Sequence, residues 1–236
     1  MAAEWRRAHL VERLPQTATA RSLTFTVPGW PGHLPGQHVD VRLTAGDGYQ
    51  AARSYSLAAP PDGERVELGV QAVADGEVSP YLADGLPLGA DVEVRGPLGY
   101  WFVWRPGQTG PVLLVGGGSG VVPLTAMIRA HRDEKSASDF HLVYSVRTPE
   151  DFWYRDLLTG GSDHLEVDVL YTRKAAPGST RAPGRVSADD LRGHVSRLAG
   201  AGAVFVCGPT AFVETVSDQL VDLGRDPATI RTERFG

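Results

Sequence analysis

The sequence predicts two domains in tandem, an antiparallel β-barrel or sandwich followed by an α/β domain built on a parallel sheet. Three observations carry this. From Glu4 to about Val103 the chain consists of short strand-like runs broken at close spacing by proline and glycine, with no long helical period. After the segment Arg105–Pro111 the pattern changes to strand, loop and helix, repeated. The length of 236 residues also suits two domains, at about 100–200 residues each.

In the first half, Ser22–Val27, Val39–Leu43, Arg53–Leu57, Arg65–Val73 and Asp91–Val94 read as strands. Turn signals stand at Pro28 with Gly29, Pro31 with Gly32, Pro35 with Gly36, and Gly46 to Gly48. Gly76 to Tyr81 gives a turn and a helix start, in which Ser79 suits either a cap or a phosphate contact. Gly96, Pro97, Leu98 and Gly99 close this half with another turn, and Arg105–Pro111 reads as a linker between domains at residues 1–105 and 110–236. In the second half, Val112–Val115, Phe140–Tyr144, Leu165–Leu170 and Ala203–Val206 read as buried strands. Helices are expected at Leu124–Arg132, Trp153–Leu158, Ala188–His194 and Ala211–Leu223. Such alternation implies parallel strands, whose carboxyl-end loops at Gly116, Ser145, Thr172 and Cys207 gather at one ligand-binding edge.

Composition narrows the chemistry. Hydrophobic residues at 42% and charged residues at 22% fit a packed globular protein. No apolar stretch is long enough to span a membrane, and Met1–Arg13 lacks a signal-peptide core, so a cytoplasmic protein is expected. Cys207 is the only cysteine. It cannot form an internal disulfide or supply the four thiolates of an iron–sulfur cluster, so redox chemistry here needs an organic cofactor. A net charge of −5 argues against nucleic-acid binding. His38, His131 and His194 lack metal-ligand spacing, and Asp139, Asp151, Asp163 and Asp168 form no carboxylate pair, so no metal is expected. Gly118, Ser119 and Gly120 do not have the spacing of a serine-hydrolase elbow.

Two segments carry candidate chemistry. Val112 to Pro123 runs from four apolar residues through Gly116, Gly117, Gly118, Ser119 and Gly120 into a helix. Free amides and the positive dipole end of that helix suit a diphosphate, although a tight strand-to-helix turn needs the same glycines. Arg53, Ser54, Tyr55 and Ser56 alternate along a strand, as an ordinary exposed strand also would. A flavin needs a cation for its phosphate, an aromatic platform and a donor near N5, and Arg53, Tyr55 and Ser56 supply these.

In order and spacing these motifs resemble the ferredoxin-NADP reductase-like flavoprotein reductases, over nearly the whole chain. The resemblance implies a Greek-key flavin barrel followed by a Rossmann-like nicotinamide domain. Arg53, Tyr55 and Ser56 are similar to the family's flavin motif, and Gly76, Val78 and Ser79 to its second phosphate element. Gly96, Pro97 and Gly99 match the turn that ends the flavin domain. Gly116, Gly118, Gly120 and Pro123 match the nicotinamide-diphosphate loop, with Ser119 where threonine is commoner. Tyr144, Ser145 and Arg147 resemble the strand-end motif beside the nucleotide, and Cys207, Gly208 and Pro209 the loop at the nicotinamide end. Glu233 and Phe235 match the terminal motif, whose aromatic ring covers the flavin and moves aside for nicotinamide.

On this resemblance the expected catalytic set is Ser56, Cys207, Glu233 and Phe235, with Cys207 positioning rather than attacking and Glu233 either supplying protons or standing as a solvated tail charge. The implied reaction moves hydride from NAD(P)H to flavin N5, and electrons leave for a separate acceptor: a ferredoxin, an iron–sulfur oxygenase component, a haem protein or free flavin. FAD is favoured over FMN because Gly76–Ser79 offers a second phosphate site. NADPH is favoured over NADH because Thr172, Arg173 and Lys174 follow a strand where an NADH user would place an acidic residue. A monomer is expected, and the alternative is a non-catalytic flavin-binding subunit of a larger electron-transfer complex.

Overall fold

A computed structural model describes residues 4–161, 164–198 and 202–235. Asp163 and the start of the Gly/Ala-rich stretch from Ala199 to Ala203 lie outside these residues. The first half forms a six-stranded antiparallel sheet of β1 (Trp5–Pro15), β2 (Ala20–Thr26), β3 (His38–Thr44), β4 (Gln50–Ser56), β5 (Arg65–Gln71) and β6 (Asp91–Leu98). Its order, β4-β3-β6-β1-β2-β5, places β6 between β3 and β1, a Greek-key crossover. A bridge between Leu57 and Leu68 joins the two outer strands, so this half is a barrel rather than a sandwich.

Alternation drives the closure. Leu23 and Phe25, Val39 and Val41, Val66, Leu68 and Val70, and Val92 and Val94 all point inward and are buried. Each such side chain contributes about 1.5–3 kcal/mol of burial. Leu82, Ala83 and Leu86, in and just after a short helical turn at Tyr81–Gly85, plug one end.

β1 is absent from the expected strands for a physical reason. Arg6, Arg7, Glu12 and Arg13 leave Ala8 and Leu10 as its only fully buried positions, and a bulge between Leu10 and Glu12 breaks the period. The expected turn at Gly96–Gly99 is also partly strand. Gly96 to Leu98 end β6, and the chain turns at Gly99, where φ is +86°.

The second half is a five-stranded parallel sheet of β7 (Val112–Gly117), β8 (Phe140–Val146), β9 (Leu165–Tyr171), β10 (Ala203–Pro209) and β11 (Ile230–Phe235), ordered β11-β10-β7-β8-β9. β7 and β8 are buried along their whole length, as strands covered on both faces must be. The helices are α1 (Val121–Asp133), α2 (Arg155–Thr159), α3 (Ala188–Arg197) and α4 (Thr210–Asp222). Ser187 and Asp190 form a capping box at the start of α3. α2 starts later than expected because Tyr154 adopts a left-handed conformation at its N-cap. β11 is an addition to the predicted strands, since Ile-Arg-Thr-Glu-Arg-Phe has too few apolar residues to signal one, yet it pairs with β10 from Val204–Ile230 to Pro209–Phe235.

The barrel packs against one face of this sheet. Ala20, Ala58, Phe102 and Trp104 share a core with Val122, Met127, Phe140, Tyr144 and Phe205, while α3 and α4 cover the opposite face. The Arg129 guanidinium on α1 donates to Glu67 of β5 at 2.5 Å and to the Ala58 carbonyl at 3.2 Å. The backbone N–H of Tyr154 donates to Gln16 Oε1 at 2.9 Å. β7 lies between β8 and β10, so strand order reverses there and the loops after β7 and β10 flank one crevice.

Candidate functional site

The first part of the site is a cleft of about 350 Å³ between barrel and sheet. β4 contributes Arg53, Ser54, Tyr55 and Ser56, the loop after β5 contributes Gly76, Val78 and Ser79, and Ser119, Val122 and Phe235 close it from the other half. The structure therefore brings Arg53, Ser54, Tyr55, Ser56, Gly76, Val78, Ser79 and Phe235 to one cleft, and Glu233 does not line it. Ser56 is 4% exposed, and its hydroxyl has no hydrogen-bond partner among the described residues. A buried orphan hydroxyl is a costly feature that a bound polar atom would satisfy. Burial pushes the Tyr55 phenol up to about 12, against the pull of Arg53, so it stays neutral. The Arg53 guanidinium donates to the Ala52 carbonyl at 2.8 Å and stands 3.6 Å from Glu77, and as both side chains are more than half exposed the ion pair is a weak one.

Other side chains here are already engaged. The Ser54 hydroxyl donates to Asp40 at 2.7 Å. Burial raises the Asp40 carboxyl, but hydrogen bonds from Ser54 and Arg95 outweigh it and hold the group below its usual range. Ser79 Oγ accepts from the Val73 N–H at 3.2 Å, closing the 73–79 loop instead of capping a helix. Val78 buries its side chain in the barrel core, so only its backbone can face a ligand.

A second cleft of about 240 Å³ continues from the first, sharing Gln71 and Ser119 with it. Gly117, Gly118 and Ser119 line it, opposite Ser145, Arg147, Thr172 and Pro209. Gly118 takes φ +54°, and the buried Tyr144 hydroxyl donates to its carbonyl at 3.1 Å, which fixes the loop. Burial raises the Tyr144 phenol, so it remains a donor. A third cleft, about 450 Å³, shares Ser145, Arg147, Thr172, Pro209 and Phe212 with the second. Arg147, Arg173 and Arg185 line it and no carboxylate does. Backbone bonds from Thr172 to Val146 and from Arg173 to Arg147 bring these strand ends together. Lys174 lines none of the three clefts and lies 3.7 Å from Glu150.

Gly116, Gly120, Pro123, Cys207, Gly208 and Glu233 do not line the groove but lie behind it. Pro123 is a buried first-turn residue of α1. Cys207 is fully buried between Gly116 and Glu233 in the sheet register. Burial, reinforced by the Glu233 carboxylate, pushes its thiol well above the ordinary 9.0. The folded state thus keeps this proton after the unfolded chain has lost it. Its contribution to stability is present below the unfolded thiol pKa and is lost as pH rises through the folded value. Iodoacetamide at mildly alkaline pH is expected to leave native protein unmodified and to alkylate the urea-unfolded chain. Mass spectrometry checks this, and equal labelling of both would contradict the buried placement.

Several groove residues escaped the sequence reading. Gln71 ends a strand and carries no motif, Arg185 sits in a polar loop, and Phe212 is an ordinary apolar residue of a helix. Phe212 earns its place only through tertiary packing, since Cβ atoms at Gly117 or Gly208 would come within 2.8 Å of its ring. His38 faces Glu233 with Nδ1 and Oε1 3.1 Å apart, although nothing in sequence joins them.

Comparison with known proteins agrees with this arrangement. A family model described as an oxidoreductase FAD-binding domain matches residues 9–103, and one described as an oxidoreductase NAD-binding domain matches residues 114–218. The reductase component of the naphthalene 1,2-dioxygenase/salicylate 5-hydroxylase systems of a Ralstonia species is 34% identical over 206 residues. That match covers 85% of this chain, which spans only 60% of the relative's length. The ferredoxin–NADP reductase B of Sorangium cellulosum is 33% identical over 244 residues, covering 97% of this chain and 96% of that protein. In fold, the FAD/NAD-binding domain of a Vibrio cholerae nitric oxide dioxygenase superposes with a TM-score of 0.84 at 23% identity, over 98% of each chain. Matched almost end to end by the Sorangium relative, and carrying the FAD- and NAD-binding domains in sequence, the chain belongs to the ferredoxin-NADP reductase-like family of flavoprotein oxidoreductases.

Proposed function

We propose that this chain is an NAD(P)H-dependent flavoprotein reductase, with FAD held by residues 1–105, nicotinamide nucleotide by residues 110–236, and electrons passed to a separate acceptor. The observation that carries it is one continuous groove, running from the orphan Ser56 hydroxyl past Ser119 to the three arginines. When bound, FAD converts the two-electron oxidation of a nicotinamide into one-electron steps. Ser56 donates a hydrogen bond at the flavin N5 position, Tyr55 packs on the ring as a neutral phenol, and Arg53 holds phosphate with its planar fork. Amides of Gly117 to Ser119, at the start of α1, receive the nucleotide diphosphate. Phe235 covers the flavin side of the cleft and moves aside as the nicotinamide enters.

The reading includes NADPH as donor, because Arg147, Arg173 and Arg185 meet no carboxylate in their cleft and suit a 2′-phosphate. The acceptor is an iron–sulfur carrier or an oxygenase component, in line with the relatives that serve as reductase components of dioxygenase systems. No described helix is long and apolar enough to cross a membrane, and we place the protein in the cytoplasm as a monomer. The deciding experiment is an absorbance spectrum followed by anaerobic NADPH and, separately, NADH. Yellow protein bleached faster by NADPH is the expected result. Yellow protein bleached by neither nucleotide would favour a docked, non-catalytic subunit, and colourless protein that takes up neither FAD nor FMN would end the flavin reading.

A further inference from the structure

Gln71 occupies a position that no motif assigns. It is the last residue of β5 and, among the described residues, the only one of the barrel that lines the nucleotide-side cleft of about 240 Å³. Among the described residues, Gln71 and Ser119 alone line both that cleft and the flavin-side one. Its placement follows from Gly69, on the same face of β5 two residues earlier. A Cβ at Gly69 would overlap Val122 and come within 3.1 Å of the Tyr154 hydroxyl, so only glycine lets the end of β5 approach the start of α1 this closely. The Gln71 side chain is exposed and its amide has no partner among the described residues.

We propose that the Gln71 amide binds the carboxamide of the nicotinamide ring, an inference that rests on the reductase reading above. A nicotinamide whose diphosphate lies on Gly117 to Ser119 must pass its ring across the boundary between the clefts to reach Ser56 and Tyr55. Beyond the ribose that links it to the diphosphate, the ring carries only the carboxamide as a hydrogen-bonding substituent, and a second primary amide complements it, each side offering an N–H donor and a carbonyl acceptor. Fixing the carboxamide fixes which ring face turns toward the flavin side, so Gln71 acts on orientation as well as affinity.

The test uses flavin-loaded native protein and its Gln71→Ala variant, which is at an exposed position and retains the fold. NADP⁺ and its acetylpyridine analogue, in which a methyl ketone replaces the carboxamide, are titrated separately while perturbation of the flavin spectrum is followed. Gln71→Ala is expected to weaken NADP⁺ about fivefold, the worth of one or two neutral hydrogen bonds. For the analogue, which has lost the N–H that Gln71 would accept, the penalty shrinks to roughly twofold or less. Rapid reduction by NADPH should slow by a similar or larger factor, with bound flavin unchanged. Equal penalties for the two nucleotides, or none, would overturn the assignment of Gln71. Wild-type protein that binds no flavin or is bleached by no nucleotide would instead overturn the reductase reading.

Discussion

Gly120→Ala is expected to destabilise the protein by about 3 kcal/mol and to abolish tight nucleotide binding. A Cβ on Gly120 would lie 2.5 Å from the Cys207 carbonyl carbon, 2.7 Å from Gly208 Cα, and in overlap with the Cys207 carbonyl oxygen. All three are backbone atoms, so no rotamer change relieves the overlap, and the loops after β7 and β10 must separate. Those loops flank the crevice at which strand order reverses, and Pro209 with Gly117 to Ser119 forms its lining. A loss of this size should lower Tm by roughly 6–12 °C for a chain of this length. Gly118→Ala is the informative contrast, because a Cβ there meets nothing within 4 Å and only the positive φ of +54° is strained. That substitution should cost about 1 kcal/mol and leave the loops in place. Thermal unfolding and NADPH bleaching of both variants check the pair, and a Gly120→Ala protein as stable and as reducible as wild type would contradict the packing.

This contrast shows what the sequence could and could not say about the glycine loop. Its existence was legible, because four apolar residues followed by Gly116 to Gly120 and a helix admit few other arrangements. The division of labour was not. Gly118 meets a conformational demand, Gly120 a close approach to another strand's loop, and Gly116 contact with Leu124, and each depends on residues far away in sequence. The same distinction separates β2 from β11. Ser22 to Val27 announces itself by alternation, whereas Ile230 to Phe235 is a strand only because β10 offers it an edge. Arg53, Tyr55 and Ser56 could be picked out as a candidate set because one short strand carries all three in a pattern that resembles the family's flavin motif, and the fold brings them to one cleft. Gln71, Arg185 and Phe212 join the site through tertiary contacts that leave no local signature, as does the approach of His38 to Glu233 behind the groove.

Ser56→Ala is expected to slow flavin reduction on the order of 100-fold while leaving the flavin-free protein as stable as wild type or slightly more so. The two effects have opposite signs for one reason. In the unliganded chain the Ser56 hydroxyl is buried without a partner, so removing it relieves a desolvation cost and leaves no other group unsatisfied. In the proposed reaction the same hydroxyl would be the donor at the position where charge changes during reduction, and a donor fixed in place before reaction counts for more than one that must reorganise. A serine kept only for packing would show the reverse, unchanged kinetics with altered stability. Ser56→Thr keeps the hydroxyl and should recover part of the rate, whereas Ser56→Cys offers only a weak donor and should not. Stopped-flow reduction under anaerobic conditions, paired with thermal unfolding of the apoprotein, measures both quantities on each variant. Single-turnover reduction of Ser56→Ala at the wild-type rate would remove Ser56 from the chemistry and leave the groove with a platform and phosphate sites but no donor at N5.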